Sequence, residues 1–267
     1  MAALERELGT RLLDREPGGL KLTRDGQTLL EHADAIAERF QLAGAQLEAA
    51  AQGHRARLRI GAFPTALAGL VPAAIAQLRG HYPGAKVTVD EGTDDLPARL
   101  RSGDLDIALG FQDSALPRHQ PAGLKRRELM REHLVVALAP DHRLAQRPAI
   151  RLADLSDDDW TAASTGGLIA GACRSAGFEP NLVSITHDQL AIRALVTRGI
   201  AVTLVPQLLA DPFEGLALRP IAGNAPSRDV YILLPPGAPH PLLAPAIDAL
   251  HSTAAQLVAL PTASSDR

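Results

Sequence analysis

After residue 57 the hydrophobic periodicity alternates between that of strands and that of helices, and this alternation most constrains the fold. A first series of predicted strands and helices covers Leu58–Ala62, Pro64 to just before Pro83, Lys86–Val89, Leu96–Leu100 and Leu105–Leu109. Strands that alternate with helices in this way indicate an α/β fold with a mostly parallel sheet and right-handed crossovers.

A second series of the same kind begins near His133. Its predicted elements are Leu134–Leu138, Leu168–Ala176, Asp188–Arg198 closed by Gly199, Ile200–Val205, Val230–Leu234 and a last helix at about His240–Leu257. Two consecutive α/β series predict two lobes that share crossover strands.

The first 26 residues form a different unit, in which a helix precedes a hairpin. Gly9 follows the last apolar residue of a helix and is expected to end it. Arg11–Arg15 and Leu20–Leu22 are predicted strands, joined by a tight turn at Glu16–Gly19. Thr23 is the predicted N-cap of the helix that follows.

That next helix is predicted from Arg24 to Ala51, with apolar residues that step by three and four along one stripe. A helix of this length, about 42 Å, is too long for a small neighbour to cover. We expect it to pair with another copy of the chain; the alternative is that it lies on its own domain. The residues expected to form this dimer contact are Leu29, Ala33, Ile36, Phe40 and Leu47.

Composition excludes several classes of protein. The 267 residues are 46% apolar and 21% charged, which is typical of a globular chain with room for more than one domain. No apolar run approaches the roughly 20 residues that span a bilayer, and no secretion signal is recognisable. The one cysteine, Cys173, is expected to be a buried, inert thiol in a reducing compartment. These features predict a cytoplasmic protein that does not associate with membranes.

The run LERELGTRLLDREPGGLKLTRDG resembles the recognition-helix end, wing and linker-helix start of LysR-type transcriptional regulators. The region from Leu58 to about Pro261 resembles the effector-binding part of the same family. The segments that match are LRIGAF, PAAIAQLRGHYPGAKVTV, LRSGDLDIALG, HLVVALAPDHRLA and LVTRGIAVTLVP. The resemblance implies a two-lobed fold like that of type-2 periplasmic binding proteins, preceded by a partial winged helix-turn-helix.

The resemblance divides the chain into predicted parts: 1–23 as the remnant of the DNA-binding domain, 24–53 as the linker and dimerisation helix, 57–130 plus 237–260 as lobe I, and 131–236 as lobe II. In the family, two more helices and most of the recognition helix carry the base-reading residues. We expect either a start codon that lies further upstream or a shortened chain that cannot read DNA as its relatives do, and the sequence does not choose between them.

The charge of the segment expected to contact DNA is small. Residues 1–24 hold five basic groups against four acidic ones, a balance of +1, and the whole chain has a net charge of −3. DNA affinity needs clustered neutralisation of phosphates, so this segment alone is expected to bind weakly. The residues that the resemblance places against DNA are Arg6, Arg11, Arg15, Lys21 and Thr23.

Ligands of open α/β sheets bind beyond the carboxyl ends of strands, near helix N-termini. Three strand-to-helix junctions would converge if the lobes face each other: Phe63–Ala66, Ser164–Gly167 and Val205–Gln207. N-capping explains a single Ser or Thr more simply, but the joint placement in both lobes favours a ligand site. By resemblance, an effector pocket is lined by Thr65, Ala66, Thr93, Phe111, Ser164, Thr165, Gly166, Val205 and Pro206.

The expected ligand is a small organic molecule that is polar or carboxylated at one end and apolar at the other. Thr65 is expected both to cap its helix and to donate to a carboxylate. No arginine is apparent at these junctions, so the ligand is expected to carry less negative charge than a dicarboxylate.

Enzymatic functions find little support, because the sequence has no nucleophile elbow, zinc-protease pair or dinucleotide-binding turn. The nine histidines lack metal-ligand spacing. Asp157–Asp159 are expected to form a solvated turn rather than a cation site, and Asp104 and Asp106 to face solvent. No catalytic residue, metal or cofactor is therefore predicted.

The sequence predicts a ligand-responsive transcriptional regulator that forms a homodimer or homotetramer. Its expected partners are a small organic effector and, if the N-terminus is completed, operator DNA. The alternative is a stand-alone solute-binding module that does not bind DNA, which a secretion signal would favour. The residues do not identify the effector, the operator or the direction of regulation.

Overall fold

The computed structural model describes residues 2–16, 19–30, 32–33, 36, 57–209, 213–237 and 240–259. Helix α1 (Ala2–Leu8) ends at Gly9, whose φ of 70° lies in the left-handed region that glycine adopts without strain. Strands β1 (Leu13–Glu16) and β2 (Gly19–Leu22) then pair antiparallel. The helix end and the hairpin are confirmed, with the first strand shifted towards the turn.

Thr23 begins the next helix as predicted. Its hydroxyl accepts a hydrogen bond from the amide of Gly26 at 2.9 Å and donates one to the carbonyl of Arg11 at 2.7 Å. The side chain therefore satisfies a free N–H group of the first helical turn and holds the helix against the hairpin.

The described part of the predicted linker helix comprises residues 24–30, 32–33 and 36, which are helical. Leu29 is half-buried, Ala33 is exposed and Ile36 is 70% exposed. Phe40 and Leu47 lie outside the described residues. The pairing of this helix stays a prediction.

The remaining strands and helices build the two lobes. The strands are β3 (Arg57–Ala62), β4 (Lys86–Glu91), β5 (Ile107–Asp113), β6 (Lys125–Leu138), β7 (Asp159–Ala162), β8 (Asn181–Ile185), β9 (Thr203–Pro206), β10 (Ala217–Arg219) and β11 (Ser227–Leu234). The helices are α2 (Pro64–Gly69), α3 (Val71–His81), α4 (Leu96–Arg101), α5 (Leu168–Ser175), α6 (Gln189–Thr197) and α7 (Leu243–Ala259).

Lobe I is built on parallel strands β4, β3 and β5, and β11 pairs antiparallel with β5. Residues of α2, α3 and α7 form one apolar core with this sheet, while Leu96 and Leu100 of α4 belong to a smaller core that also contains Leu105 and Leu233. None of the described helices is long and apolar enough to cross a membrane.

One long strand, β6, connects the lobes. Its residues 125–133 pair with β11, and its residues 134–138 pair with β9 and β10 of lobe II. In lobe II, β7 runs parallel to β8, and its Trp160 forms a parallel bridge with Val202, the residue before β9. Trp160 is fully buried in the lobe II core, which also contains Cys173 of α5.

The α/β fold and the helix positions of both series are confirmed, but the prediction of a mostly parallel sheet is wrong. Among the described strands of the seven-stranded sheet, only β3, β4 and β5 pair parallel, whereas β11 pairs antiparallel with β5 and β6, and β9 and β10 pair antiparallel with β6. Several boundaries also differ. The helix predicted from Pro64 to the residues before Pro83 is broken at Leu70, because Pro72 has no N–H group to donate to the preceding turn. Strands β7, β8 and β10 and the first half of β6 were not predicted. The last helix begins at Leu243.

Strand β11 bears on the predicted lobe boundary. Val230, Ile232 and Leu234 lie in the lobe I core, although the sequence assigned residues up to 236 to lobe II. We propose on this packing that residues 227–236 belong to lobe I.

Asp106 does not face solvent, so that prediction is wrong. Its carboxylate accepts hydrogen bonds from the backbone N of Arg59 at 2.7 Å and from the guanidinium at 2.8 Å and 3.1 Å. This pair joins the beginnings of β3 and β5. Asp104 is exposed, as predicted.

Candidate functional site

The register between β6 and β11 places two oppositely charged pairs side by side. Arg228 lies opposite Glu132, and Asp229 lies opposite Arg131. Successive side chains of a strand point to opposite faces of the sheet. The first pair is buried, whereas the side chain of Arg131 is 56% exposed.

Glu132 is completely buried, and both oxygens of its carboxylate accept hydrogen bonds. Nε of Arg228 donates to one at 2.6 Å, and the amide of Leu208 donates to the other at 3.2 Å. Leu208 belongs to a 3₁₀ turn that directly follows β9 of lobe II. The carboxylate therefore ties the end of a lobe II strand to the strands that cross between the lobes.

The guanidinium of Arg228 reaches the first helix of lobe I. Its Nη2 donates to the hydroxyl of Thr65 at 2.7 Å. Its central carbon lies 5.0 Å from the centre of the Phe63 ring and 4.8 Å from that of Phe111, within the range of a cation–π contact. The two rings meet edge to face at 4.8 Å.

Burial lowers the pKa of Arg228, and the neighbouring charge of Glu132 opposes that shift. An arginine stays protonated in proteins, so the cluster is an ion pair with no net charge. We call these five residues, Phe63, Thr65, Phe111, Glu132 and Arg228, the crossover cluster.

The crossover cluster corrects two predictions. An arginine does stand at the junction of Phe63 and Thr65, and it comes from a strand 163 residues away from Thr65. Thr65 does not cap α2: the N-cap position is Phe63, without a side-chain hydrogen bond, and the Thr65 hydroxyl accepts from Arg228 instead. The sequence predicted β11 only from Val230 onward, which left Arg228 outside the strand.

The structure distributes the other predicted lining residues over both lobes. Ala66 is buried in the lobe I core, and Val205 is buried in a lobe II core with Ile192 and Val196. Pro206 is also buried, whereas Phe111 is 38% exposed. Exposed positions are held by Thr93, Ser164, Thr165 and Gly166. That these residues line one pocket stays a prediction.

Topology supports the placement of a cleft near the crossover cluster. β7 and β9 run in the same direction, so Ala162, which precedes Ser164, and Pro206 end at the same edge of lobe II. Leu208 follows Pro206 and contacts Glu132. In lobe I, the carboxyl end of β3 leads directly to Phe63 and Thr65.

The hairpin near the N-terminus is fixed by Glu5 of α1. Its carboxylate accepts hydrogen bonds from the amides of Leu12 at 2.9 Å and Leu13 at 3.3 Å, which lower the pKa of Glu5. Of the residues predicted to contact DNA, Arg6, Arg11 and Lys21 are exposed and Thr23 is the N-cap described above; the side chain of Arg15 lies outside the described residues.

The acidic run in lobe II is not a plain solvated turn. Asp158 pairs with Arg143 at 2.6 Å and with His142 at 3.1 Å, and its side chain is 18% exposed. Asp159 starts β7 and accepts a hydrogen bond from Asn181. Among the described residues, no three His, Cys, Asp or Glu side chains are grouped as they would be to hold a metal ion.

Comparison with known proteins identifies the class to which this fold and site belong. Residues 51–255 match the family model of the LysR substrate binding domain. A probable hydrogen peroxide-inducible genes activator of Mycobacterium avium is 33% identical over 243 residues, which cover 87% of this chain and 76% of the relative. The chain therefore belongs to the family of LysR-type transcriptional regulators.

Solved structures agree with this family. A full-length OxyR variant from Pseudomonas aeruginosa has a TM-score of 0.68 and 25% identity, and the match covers 94% of this chain and 83% of that chain. The LysR family regulator CbnR in complex with its target DNA has a TM-score of 0.63 and 26% identity, and the match covers 95% of this chain and 88% of that chain. The two lobes thus have the type-2 periplasmic-binding-protein-like fold, and the relatives are transcriptional regulators rather than enzymes.

Proposed function

We propose that this chain regulates transcription in response to a small organic effector that binds between its two lobes. The observation that carries the proposal is the crossover cluster, in which an ion pair buried at the crossing strands contacts α2 of lobe I and the end of β9 of lobe II. A ligand there would contact both lobes and could bias their relative orientation.

We propose that the effector site includes the other predicted lining residues as well as Thr65 and Phe111 of the crossover cluster. Ser164, Thr165 and Gly166 offer exposed polar groups before α5, and Thr93 does the same after β4. Ala66, Val205 and Pro206 would support the walls from the buried side. A predominantly apolar cleft with a few polar groups is typical of small-molecule sites.

DNA binding is proposed through the N-terminal hairpin. Arg6 of α1, Arg11 of the connection that follows it and Lys21 of β2 are exposed, and cations there can neutralise phosphates. The CbnR structure that contains target DNA aligns with nearly all of this chain, which supports a DNA-binding regulator over a stand-alone solute-binding module. We further propose a cytoplasmic, non-enzymatic homo-oligomer joined by the linker helix.

Redox sensing by a thiol has little support in this chain. One relative is named for hydrogen peroxide-inducible genes. Here the one cysteine of the sequence, Cys173, is completely buried, and burial raises the pKa of its thiol to about 12. Peroxide reacts with an accessible thiolate, so we propose that a reversibly bound effector provides the signal.

Chromatin immunoprecipitation tests the regulatory function directly. The chromosomal copy would carry a C-terminal epitope tag, so that the product is the natural one whatever its first residue. Enrichment of discrete promoter regions over an untagged strain is expected, and deletion of the gene should change transcription from them. The absence of enriched loci would contradict the proposed function.

A further inference from the structure

The crossover cluster leaves part of its arginine available to a ligand. Within the described residues, Arg228 uses one N–H of Nε and one of Nη2, and Nη1 has no hydrogen-bond partner. The single fully enclosed side-chain polar atom without a partner in those ranges is Oγ1 of Thr161. Nη1 therefore keeps contact with solvent, although Arg228 as a whole is only 5% exposed.

The surroundings of this free edge are apolar. The guanidinium lies within cation–π distance of the rings of both Phe63, which is buried, and Phe111, which is 38% exposed. A molecule that accepts a hydrogen bond from Nη1 could therefore pack on the exposed surface of Phe111. Aromatic rings and apolar bodies pack favourably on such a surface.

The charge of the cluster restricts what can be accepted there. Glu132 already balances Arg228 at 2.6 Å, and it is completely buried. A carboxylate at Nη1 would give this partly buried place a net negative charge and would lose its hydration without a counter-ion of its own. A neutral oxygen would complete the hydrogen bonds of the guanidinium and leave the charge balanced.

We propose that the site takes a neutral aromatic or alicyclic ligand whose amide, ketone or alcohol oxygen accepts from Nη1 of Arg228 and whose ring packs on Phe111. This inference rests on the proposed function, because it requires a ligand between the lobes. It also replaces the expectation of a carboxylated ligand, which was formed when no arginine and no paired glutamate were apparent at the junction.

Benzamide and benzoate test the proposal, because they share shape and size and differ in charge. Both would be titrated into the full chain and their binding followed by ligand-observed NMR. Benzamide is expected to bind at least about tenfold more tightly than benzoate. Benzoate binding equally well or better would overturn the proposal, and so would the binding of neither probe at millimolar concentration.

Two matched variants test whether Glu132 causes the preference for benzamide over benzoate. Glu132→Gln and Asp229→Asn each remove one negative charge from neighbouring strands, but Asp229 belongs to the pair on the opposite face. Glu132→Gln is expected to shift the benzamide-to-benzoate ratio by roughly tenfold towards benzoate, and Asp229→Asn to leave it unchanged. An unchanged ratio in a folded Glu132→Gln protein would overturn the proposal.

If Glu132→Gln does not fold by circular dichroism, the wild-type comparison of the two probes still decides the ligand class. The failure of this inference can also be told apart from the failure of the proposed function. If promoter regions are enriched in cells but benzoate is the tighter probe, the neutral ligand class is wrong and the regulatory function stands. Enrichment together with a preference for benzamide supports both.

Discussion

At the scale of single residues, a strand register determines the chemistry of the candidate site. Glu132 and Arg228 are opposite each other because β6 and β11 pair in one particular way, and a shift by one residue would place Glu132 opposite Asp229 or Arg228 opposite Arg131, two like charges. The buried pair has to satisfy its own hydrogen bonds, and it does so through Leu208 and Thr65. In the second pair Asp229 is also buried, but the side chain of Arg131 is 56% exposed and has water available.

This difference gives a prediction for stability. Glu132→Ala leaves Arg228 buried without a counter-ion and should lower the free energy of unfolding by about 3–5 kcal/mol. Asp229→Ala removes the partner of the more exposed Arg131 and should cost only about 1 kcal/mol. Urea denaturation of both variants would measure this. Equal losses would show that the burial of the first pair has no energetic consequence.

Cys173 provides a second prediction at this scale. A thiol pKa of about 12 instead of the usual 9.0 lowers the thiolate fraction near neutral pH by about a thousandfold, and the residue is also completely buried. Ellman's reagent should therefore modify one thiol per chain rapidly in denaturant and hardly at all in the folded protein. Rapid modification of the folded chain would mean that α5 opens readily.

The residues of the site were only partly predictable from the sequence. Thr65 comes shortly after β3, and Phe111 comes shortly after the strand that hydrophobic periodicity predicts at Leu105–Leu109, so their neighbourhood could be inferred. Glu132 and Arg228 lie in charged runs, REH and SRD, where alternation between a buried and an exposed face does not appear as an apolar pattern. Their pairing depends on a register 96 residues apart along the chain, which no local signal encodes.

At the scale of elements, α2 and α3 show how a close backbone contact shapes local structure. A Cβ atom at Gly69, the last residue of α2, would lie 2.1 Å from the carbonyl oxygen of Leu208. Only glycine permits this approach between α2 and the 3₁₀ turn that contacts Glu132. The break between the two helices thus lies beside the crossover cluster.

Substitutions of two glycines test this contact. Gly69→Ala should destabilise the protein by about 1–3 kcal/mol, because the methyl group meets backbone that cannot move aside cheaply. Gly80→Ala, in α3, has no atom within 4 Å of the new methyl group and should be neutral or stabilising by up to about 1 kcal/mol. Thermal or urea unfolding compares the two, and a Gly69→Ala protein as stable as wild type would contradict the close approach.

The elements that the sequence missed have a common physical cause. β10 has three residues, β7 and β8 have four and five, and so short a stretch does not display a reliable period. The first half of β6, KRRELMREH, is polar because much of it is exposed. Long helices and buried strands such as β3 were correctly predicted because their apolar residues repeat over several positions.

At the scale of the whole molecule, the linker helix determines whether the lobes act alone or in pairs. Ile36, on its predicted stripe, is 70% exposed in the single chain. Replacing Ile36 and Phe40 with Asp should reduce the oligomer to a smaller species in sedimentation velocity, since each buried apolar side chain contributes roughly 1.5–3 kcal/mol.

The control for this prediction adds the same charge away from the stripe. Gln41→Asp with Ala45→Asp lies off the predicted stripe and should leave sedimentation unchanged. If both double variants sediment like the wild type, the helix packs within its own chain and the oligomer forms elsewhere.

The burial of Cys173 has a practical consequence for observing such a molecule. A folded chain whose one native thiol is shielded can carry dyes or spin labels at chosen positions without first being made cysteine-free. Cysteines introduced at Thr93 of lobe I and Ser164 of lobe II, both exposed, would place two probes on opposite walls of the proposed cleft. The distance between such probes would follow any opening or closing of the lobes in solution as a ligand is added.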